Sequence, residues 1–252
     1  MKAIVTIGGG EIDLKETITI DKEIIRLSGK EHPTLLFIPT ASTDSEGYWE
    51  HIQQYFGEYL GCKTEVLWSI KRQPSEQKVR DKILGADIVY VGGGNTLKMM
   101  KRWHFLGVDT ILKEAWEKGI VLCGASAGSI CWYESGHSDS MSFYNEKKWK
   151  YINVKGLGFL KGIQCPHCDS ETLGIKRKKD FEDMIQKIGG FGIAIDDCCA
   201  IEFVDDTYRV ITSKPNAKAY KVYKRRGKVA SEPIEQKDSF SPLAELYKKS
   251  GM

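Results

Sequence analysis

The sequence predicts an α/β fold built on a doubly wound, mostly parallel sheet, and three observations carry that prediction. Short apolar runs alternate with amphipathic segments through the first 130 residues, which is the pattern of βαβ units. Three of those runs empty into small-residue turns: Gly8-Gly9-Gly10, Gly92-Gly93-Gly94, and Gly124-Ala125-Ser126-Ala127-Gly128. From residue 192 onward the pattern changes to short alternating runs, which read as an antiparallel C-terminal extension at a sheet edge.

Taken in order, residues 2–7 form a strand that ends in the first glycine turn. The turn lacks the third glycine of a dinucleotide fingerprint and no clear helix opens after it, so a nicotinamide site is rejected. A close backbone approach at the strand's carboxyl edge explains those glycines. Residues 34–38, Thr-Leu-Leu-Phe-Ile, are apolar throughout and stop at Pro39, as a strand covered on both faces does. Helix caps at 41–45 and spaced aromatics over 47–59 predict an amphipathic helix ended by Gly61, followed by a strand at 64–68. Helices are expected at 78–84, 97–103 and 108–118, with strands at 86–91 and 120–123. Residues 135–151 are polar and aromatic with no clean period and read as loop. A short strand at 162–165 closes on Pro166-His167, and 178–188 is a helix. Strands follow at 192–195, 200–204, 208–212 and 217–222, with Asp205-Asp206 as a hairpin turn, and 243–247 is a terminal helix. Neither an internal repeat nor a low-complexity linker interrupts the chain, so residues 1–252 are read as one domain.

Composition excludes several roles. The 37 basic and 34 acidic residues leave a net charge of +3, so no global basic field points to nucleic acid. The basic clusters at 147–148, 176–179 and 224–226 read as solvated faces. With no signal peptide and no apolar run that spans a bilayer, a cytoplasmic protein without a membrane partner is expected. Seven scattered cysteines fit free thiols in a reducing compartment better than a disulfide framework. Cys165-Pro166-His167-Cys168 looks like half a zinc site, but no second Cys/His pair completes four ligands, so neither metal nor cofactor is expected.

The chemistry centres on residues 121–130. A buried strand runs into Gly-Ala-Ser-Ala-Gly and then into a helix, the G-x-S-x-G pattern of a nucleophile elbow with Ser126 on the tight turn. A serine hydroxyl needs a base, and the base needs an orienting group. Two of the five histidines, His137 and His167, lie beyond the elbow. His167 follows a strand directly, which aims it at the crevice beyond the carboxyl ends of the strands. For the orienting acid, Glu134 and Asp139 both lie between Ser126 and His167. Glu134 falls at the end of the elbow helix and points away, whereas Asp139 lies in the loop beyond and can reach back.

The turn 91–96 (Val-Gly-Gly-Gly-Asn-Thr), the elbow 124–128, Asp139 in Ser-Asp-Ser and Pro166-His167 follow one another at fitting intervals. Together they resemble the dipeptidase E (aspartyl dipeptidase) family of serine peptidases, which includes cyanophycinase. The resemblance implies a doubly wound sheet related to the class I glutamine amidotransferases. It also implies roles: Ser126 as nucleophile, His167 as base, Asp139 as the orienting acid, and the backbone N–H groups of Gly94 and Ala127 as oxyanion donors. Arg177 matches an arginine that reads the carboxylate of an N-terminal aspartate, and Asn95 is placed with it in substrate binding. A serine peptidase acting on small peptides, Asp-Xaa dipeptides among them, as a monomer or homodimer, is the function so implied. The alternatives are a cyanophycinase-like or isoaspartyl-type amide hydrolase, an esterase, and a binding relative without turnover. The segment 168–176 is shorter than in the family, and the aromatic loop 144–151 and antiparallel tail are unlike its shortest members.

Overall fold

A computed structural model describes residues 1–249. Four apolar runs and one polar edge strand become its parallel core: Ala3–Ile7, Thr34–Ile38, Ile88–Val91 and Val121–Ala125, with Lys63–Val66 at the edge, where Lys63 and Glu65 stay exposed. They pair in parallel in the spatial order Ala3–Ile7, Val121–Ala125, Ile88–Val91, Thr34–Ile38, Lys63–Val66. Because side chains alternate along a strand, each run feeds two cores. Ile4, Leu36, Ile38, Val89, Val91 and Leu122 enter one; Val5, Ile7, Leu35, Phe37, Tyr90 and Cys123 enter the other. Helices Ile18–Leu27 and Glu46–Ile52 supply Ile20, Ile24 and Ile52 to the second core. Helices Glu76–Leu84, Thr96–Leu106 and Val108–Glu117 supply Val79, Trp103 and Leu112 to the first. Coverage on both faces is what makes the four runs apolar throughout.

The α/β class and its parallel core hold as read. The antiparallel C-terminal part is divided between two places. Cys199–Val204, Thr207–Thr212 and Ser241–Pro242 extend the first sheet to eight strands, beginning with an antiparallel pairing of Cys199–Val204 on Ala3–Ile7. Asp205, at φ 47°, turns the hairpin between the first two. Glu171–Thr172 pairs separately with Ile175–Lys176, and six further strands build a second sheet in the order Lys228–Pro233, Ala219–Arg225, Phe191–Ile195, Leu160–Cys165, Tyr133–Ser138, Ile152–Lys155. In it Leu160–Cys165 runs parallel to both neighbours. Tyr133, Leu160 and Ile193 pack into the same core as Ile4 and Leu122, so the sheets share an interior.

Three readings differ from the structure in detail. Tyr133–Ser138, read mostly as loop, is a strand whose register slips between Tyr133 and Ser135; the bulge hides the two-residue period. Helix Ile18–Leu27 escaped notice because Ile-Thr-Ile opens it and Asp21 interrupts its buried face of Ile20, Ile24 and Leu27, whereas β-branched runs favour strands. The helix expected over 47–59 continues past Ile52 as a π-helical segment, Gln53–Tyr59. Among the described residues no helix is long and apolar enough to cross a membrane.

Asp21 has an energetic consequence. It is fully buried, and its Oδ2 accepts from Thr17 Oγ1 at 2.7 Å and from the Tyr55 hydroxyl at 2.8 Å, while Oδ1 has no hydrogen-bond partner. Burial pushes its pKa up to about 7 despite both hydrogen bonds. The fold therefore favours the protonated acid. Its contribution is complete below the ordinary carboxyl pKa near 4 and is lost as pH rises through 7. About three pKa units correspond to about 4 kcal/mol. Asp21→Asn keeps an acceptor for Thr17 and Tyr55 and removes the buried charge, though its amide N–H groups need partners. We expect a net gain of about 2 kcal/mol at pH 8 that vanishes by pH 4. Urea denaturation at the two pH values checks this; an identical difference at both would refute it.

Candidate active site

The carboxyl ends of the parallel strands supply the site. Ala125 ends its strand and Ser126 follows at φ 57°, ψ −116°, before the short helix Ala127–Ile130. A non-glycine residue there costs about 1–3 kcal/mol, and the neighbours hold it. The Ser126 N–H donates to Ile7 O at 3.2 Å, and its carbonyl accepts from the N–H groups of Ser129 and Ile130. Gly128 lies so near the preceding strand that a Cβ would stand 2.0 Å from Val91 O. This is the strand–turn–helix context that the G-x-S-x-G pattern requires. Ser126 lines a cavity of about 570 Å³ together with His167, Gly9, Gly93, Tyr48, His51, Glu11 and Asp13.

His167 reaches that cavity from the second sheet. It lies two residues beyond the Leu160–Cys165 strand at φ 49°, with its N–H on Gly8 O at 3.3 Å. Its ring Nδ1 meets Asp197 Oδ1 at 2.5 Å, which puts the shared proton on that side and leaves Nε2 as the basic nitrogen. Burial works to raise the Asp197 pKa, but the His167 hydrogen bond, with Arg177 and Lys214 nearby, offsets it and leaves the carboxyl below its ordinary value. Asp197 is itself fixed: its N–H donates to Asp169 Oδ1 at 2.9 Å, and the next residue's N–H to Gly9 O at 2.8 Å.

The carboxylate that meets His167 is thus Asp197 and not Asp139, the residue expected there. Asp139 does not partner His167; it faces Arg177, with Nη1 and Oδ2 3.6 Å apart. Its loop is fastened to helix Thr96–Leu106, because Ser140 Oγ accepts from the Leu97 N–H at 3.0 Å and Ser138 Oγ bonds Thr96 Oγ1 at 3.1 Å. Glu134 lies on a strand, not on the elbow helix, where its Oε2 accepts from the Gly162 N–H at 2.8 Å.

Arg177 opens helix Arg177–Ile188, is 3% exposed, and also faces the Tyr151 ring at 5.1 Å. It is absent from the residues lining the Ser126 cavity, so the basic cluster at 176–179 is not a uniformly solvated face. Asn95 is buried as the cap of helix Thr96–Leu106. Its Oδ1 accepts from the Lys98 N–H at 2.9 Å, and its Nδ2 donates to Ser140 O at 3.3 Å, so both ends of the amide are engaged structurally. Ala127 is the first residue of the elbow helix, where the backbone N–H has no partner within the helix. In the glycine turn, Gly93 packs on Ser126: a Cβ there would lie 3.3 Å from the serine Cβ. Gly94, at φ 131°, packs on Ala41 O. The Gly93 N–H faces the Tyr48 hydroxyl, whose pKa burial nonetheless pushes up to about 12. Gly94 therefore sits one residue behind the glycine that touches Ser126.

Sequence reasoning missed Asp197, Tyr48, His51, Glu11 and Asp13. For Asp197 a signal existed. It follows Phe191–Ile195, which runs parallel to the strand bearing His167, so the rule that picked His167 from a strand's carboxyl end picks Asp197 as well. His51 pairs with Asp13 at 2.7 Å, across a separation no local pattern reveals.

Comparison with known proteins bears on the family and the fold. The sequence model of peptidase family S51 matches residues 4–211. An uncharacterized peptidase of Bacillus subtilis (strain 168), YgaJ, is 36% identical over 242 residues, covering 94% of this chain and 99% of its own. The fold is that of a peptidase from an acI-B1 Actinobacterium, at TM-score 0.74 and 19% identity over 96% of this chain and 97% of that one. A putative peptidase E protein from Listeria monocytogenes EGD-e gives TM-score 0.64 at 20% identity, over 84% of this chain and 98% of that one.

The His167–Asp197 pair has a testable dependence on Gly9. A Cβ at that position would lie 2.1 Å from Asp197 Oδ1 and 2.2 Å from His167 Cε1. The short hydrogen bond should give a strongly downfield imidazole proton in the NMR spectrum. Gly9→Ala is expected to abolish that resonance while leaving far-ultraviolet circular dichroism unchanged; its survival would show that the pair does not depend on the close approach.

Proposed function

The chain belongs to peptidase family S51 and is a serine-type peptidase, and from that premise we propose that it hydrolyses small peptides bearing a free N-terminus through Ser126, His167 and Asp197. The observation that carries the reading is Ser126, held at positive φ on an elbow, in one cavity with an imidazole whose other nitrogen bonds a carboxylate. His167 Nε2 takes the serine proton as Oγ attacks the scissile carbonyl, then returns it to the leaving amine. Asp197 keeps the ring in the right tautomer and stabilises the imidazolium. The Gly94 and Ala127 N–H groups are the proposed donors to the oxyanion, each worth about 3 kcal/mol at the transition state. Water then resolves the acyl-enzyme.

For the substrate, the cavity walls favour a cationic group over an anionic one. Glu11 and Asp13 line it, and a free α-amine on a short peptide is the cation every such substrate carries. Selection of an N-terminal aspartate through Arg177 has less support, since that guanidinium is buried on Asp139.

A fluorophosphonate probe and a dipeptide panel with Asp, Lys, Ala and N-acetylated first residues test both points. Ser126→Ala should abolish labelling. Asp197→Asn should lower kcat/KM by about 10³–10⁴-fold, and Asp139→Asn by less than about tenfold, with a lower melting temperature because Arg177 loses its partner. The reverse ranking of the two aspartates would return the orienting role to Asp139. N-acetylation should cost about tenfold or more in kcat/KM; equal cleavage of blocked and free peptides would exclude recognition of the amine.

A further inference from the structure

Behind the peptidase site lies a second cluster of reactive side chains that the proposed mechanism does not use. His137 is fully buried, stacked on Tyr151 at 4.1 Å and edge-on to Phe181 at 5.5 Å. Its Nε2 meets Asp180 Oδ1 at 2.9 Å, and its Nδ1 faces Cys165 Sγ at 3.7 Å. Cys165 is thus the buried end of a cysteine–histidine–carboxylate relay whose other end, Asp180, is partly exposed. The Cys168 thiol faces the same sulfur, and the Arg177 guanidinium adds positive charge nearby. The two cysteines are the ends of Cys165-Pro166-His167-Cys168, a spacing that brings two sulfurs together. Among the described residues no group of three His, Cys, Asp or Glu side chains is arranged to hold a metal ion.

The seven thiols are not alike. Burial pushes Cys62, Cys123, Cys131, Cys198 and Cys199 up, which makes them inert. Burial acts on Cys165 in the same direction, but the Cys168 thiol, the His137 imidazole and Arg177 more than offset it and hold Cys165 well below the ordinary thiol range. Cys168 moves the other way, first because it donates to Cys165 and then because it is buried. For His137, burial opposes the charge, but Cys165 and Asp180 outweigh it and raise its pKa. The cluster thus sets a thiol of lowered pKa beside an imidazole of raised pKa, with a second thiol, of raised pKa, three residues away. Cys165 and Cys168 are themselves buried, and the cluster meets solvent at Asp180, whose side chain is 39% exposed.

We propose that Cys165 and Cys168 are a redox-active dithiol, in which Cys165 is oxidised by hydroperoxides and Cys168 resolves the product to a disulfide that rings His167. The Cys165 thiolate attacks one oxygen of the hydroperoxide. An S–O bond forms, the O–O bond breaks, and the departing alkoxide (hydroxide from hydrogen peroxide) takes the His137 proton. Sulfur is oxidised by two electrons to a sulfenic acid and the hydroperoxide is reduced to an alcohol or water. Cys168 then attacks that sulfur. The S–S bond forms, the S–O bond breaks, and the hydroxide leaves as water with the Cys168 proton.

The test uses the full chain and hydrogen peroxide as probe, followed by alkylation under denaturing conditions and peptide mass analysis. It needs no peptidase assay, so it stands or falls apart from the function proposed above. The Cys165–Cys168 disulfide should form at least about tenfold faster than any oxidation of Cys123 or Cys199, and dithiothreitol should reverse it. Cys168→Ser should stop the reaction at a Cys165 sulfenic acid that a 1,3-dione captures. Asp180→Asn, at a partly exposed position that spares the core, should slow Cys165 oxidation about tenfold with unchanged circular dichroism. Oxidation spread evenly over the seven cysteines, or a Cys165 that remains a free thiol while others react, would overturn the proposal.

Discussion

The site depends on one close contact, where the backbone of the elbow helix lies directly on the strand beside it. Val91 O occupies the space that a Cβ on Gly124 or Gly128 would need, 2.5 Å and 2.0 Å away respectively. With no side chain at either position, the chain enters and leaves Ser126 in contact with Ile88–Val91, and the serine is left at positive φ above the sheet. The glycine turn that continues the same strand then packs Gly93 against Ser126. The strand thus supports the elbow from below and covers it from the side. A methyl group at 128 would move the serine, its cover and the cavity at once.

Much of the fold was legible because burial on both faces leaves an unbroken apolar run, and residues 34–38, 86–91 and 120–123 are such runs. Ser126 and His167 were legible for a related reason, since each directly follows a strand. Partnerships across the chain were not. Asp139 sits in a favourable order between Ser126 and His167, yet the hydrogen bonds of Ser138 and Ser140 tie its loop to another helix. Asp197 sits thirty residues beyond His167 and meets it only because Leu160–Cys165 and Phe191–Ile195 are neighbours in the second sheet. Strand adjacency in space decides that contact, and no local pattern encodes it. Asn95, expected in substrate binding, caps a helix and has both ends of its amide engaged, a role that no spacing in the sequence marks.

Two of the histidine–aspartate pairs, His167–Asp197 and His137–Asp180, differ in access. His167 is 26% exposed on a cavity with Ser126 beside it, whereas His137 is enclosed by Tyr151 and Phe181 with a sulfur on its free nitrogen. In each, a carboxylate meets one ring nitrogen, and packing decides what surrounds the rest of the imidazole. Arg177 lies between them, contributing to the charge balance of both Asp197 and Cys165, which accounts for a buried guanidinium at a helix start.

The division of strands between two sheets has a consequence for when the protein becomes competent. Ser126 comes from the first sheet, His167 from the second, and Asp197 from the connection that leads back from the second to the first. During synthesis the parallel half emerges first, carrying the serine without its imidazole. Domains tend to fold from the N-terminus as they appear, and here the early half holds Ser126 without His167 or Asp197. Only when residues beyond 197 arrive and Cys199–Val204 docks on Ala3–Ile7 do all three groups meet. The grouping of Ser126, His167 and Asp197 therefore depends on strand pairing across the whole chain and not on the elbow alone.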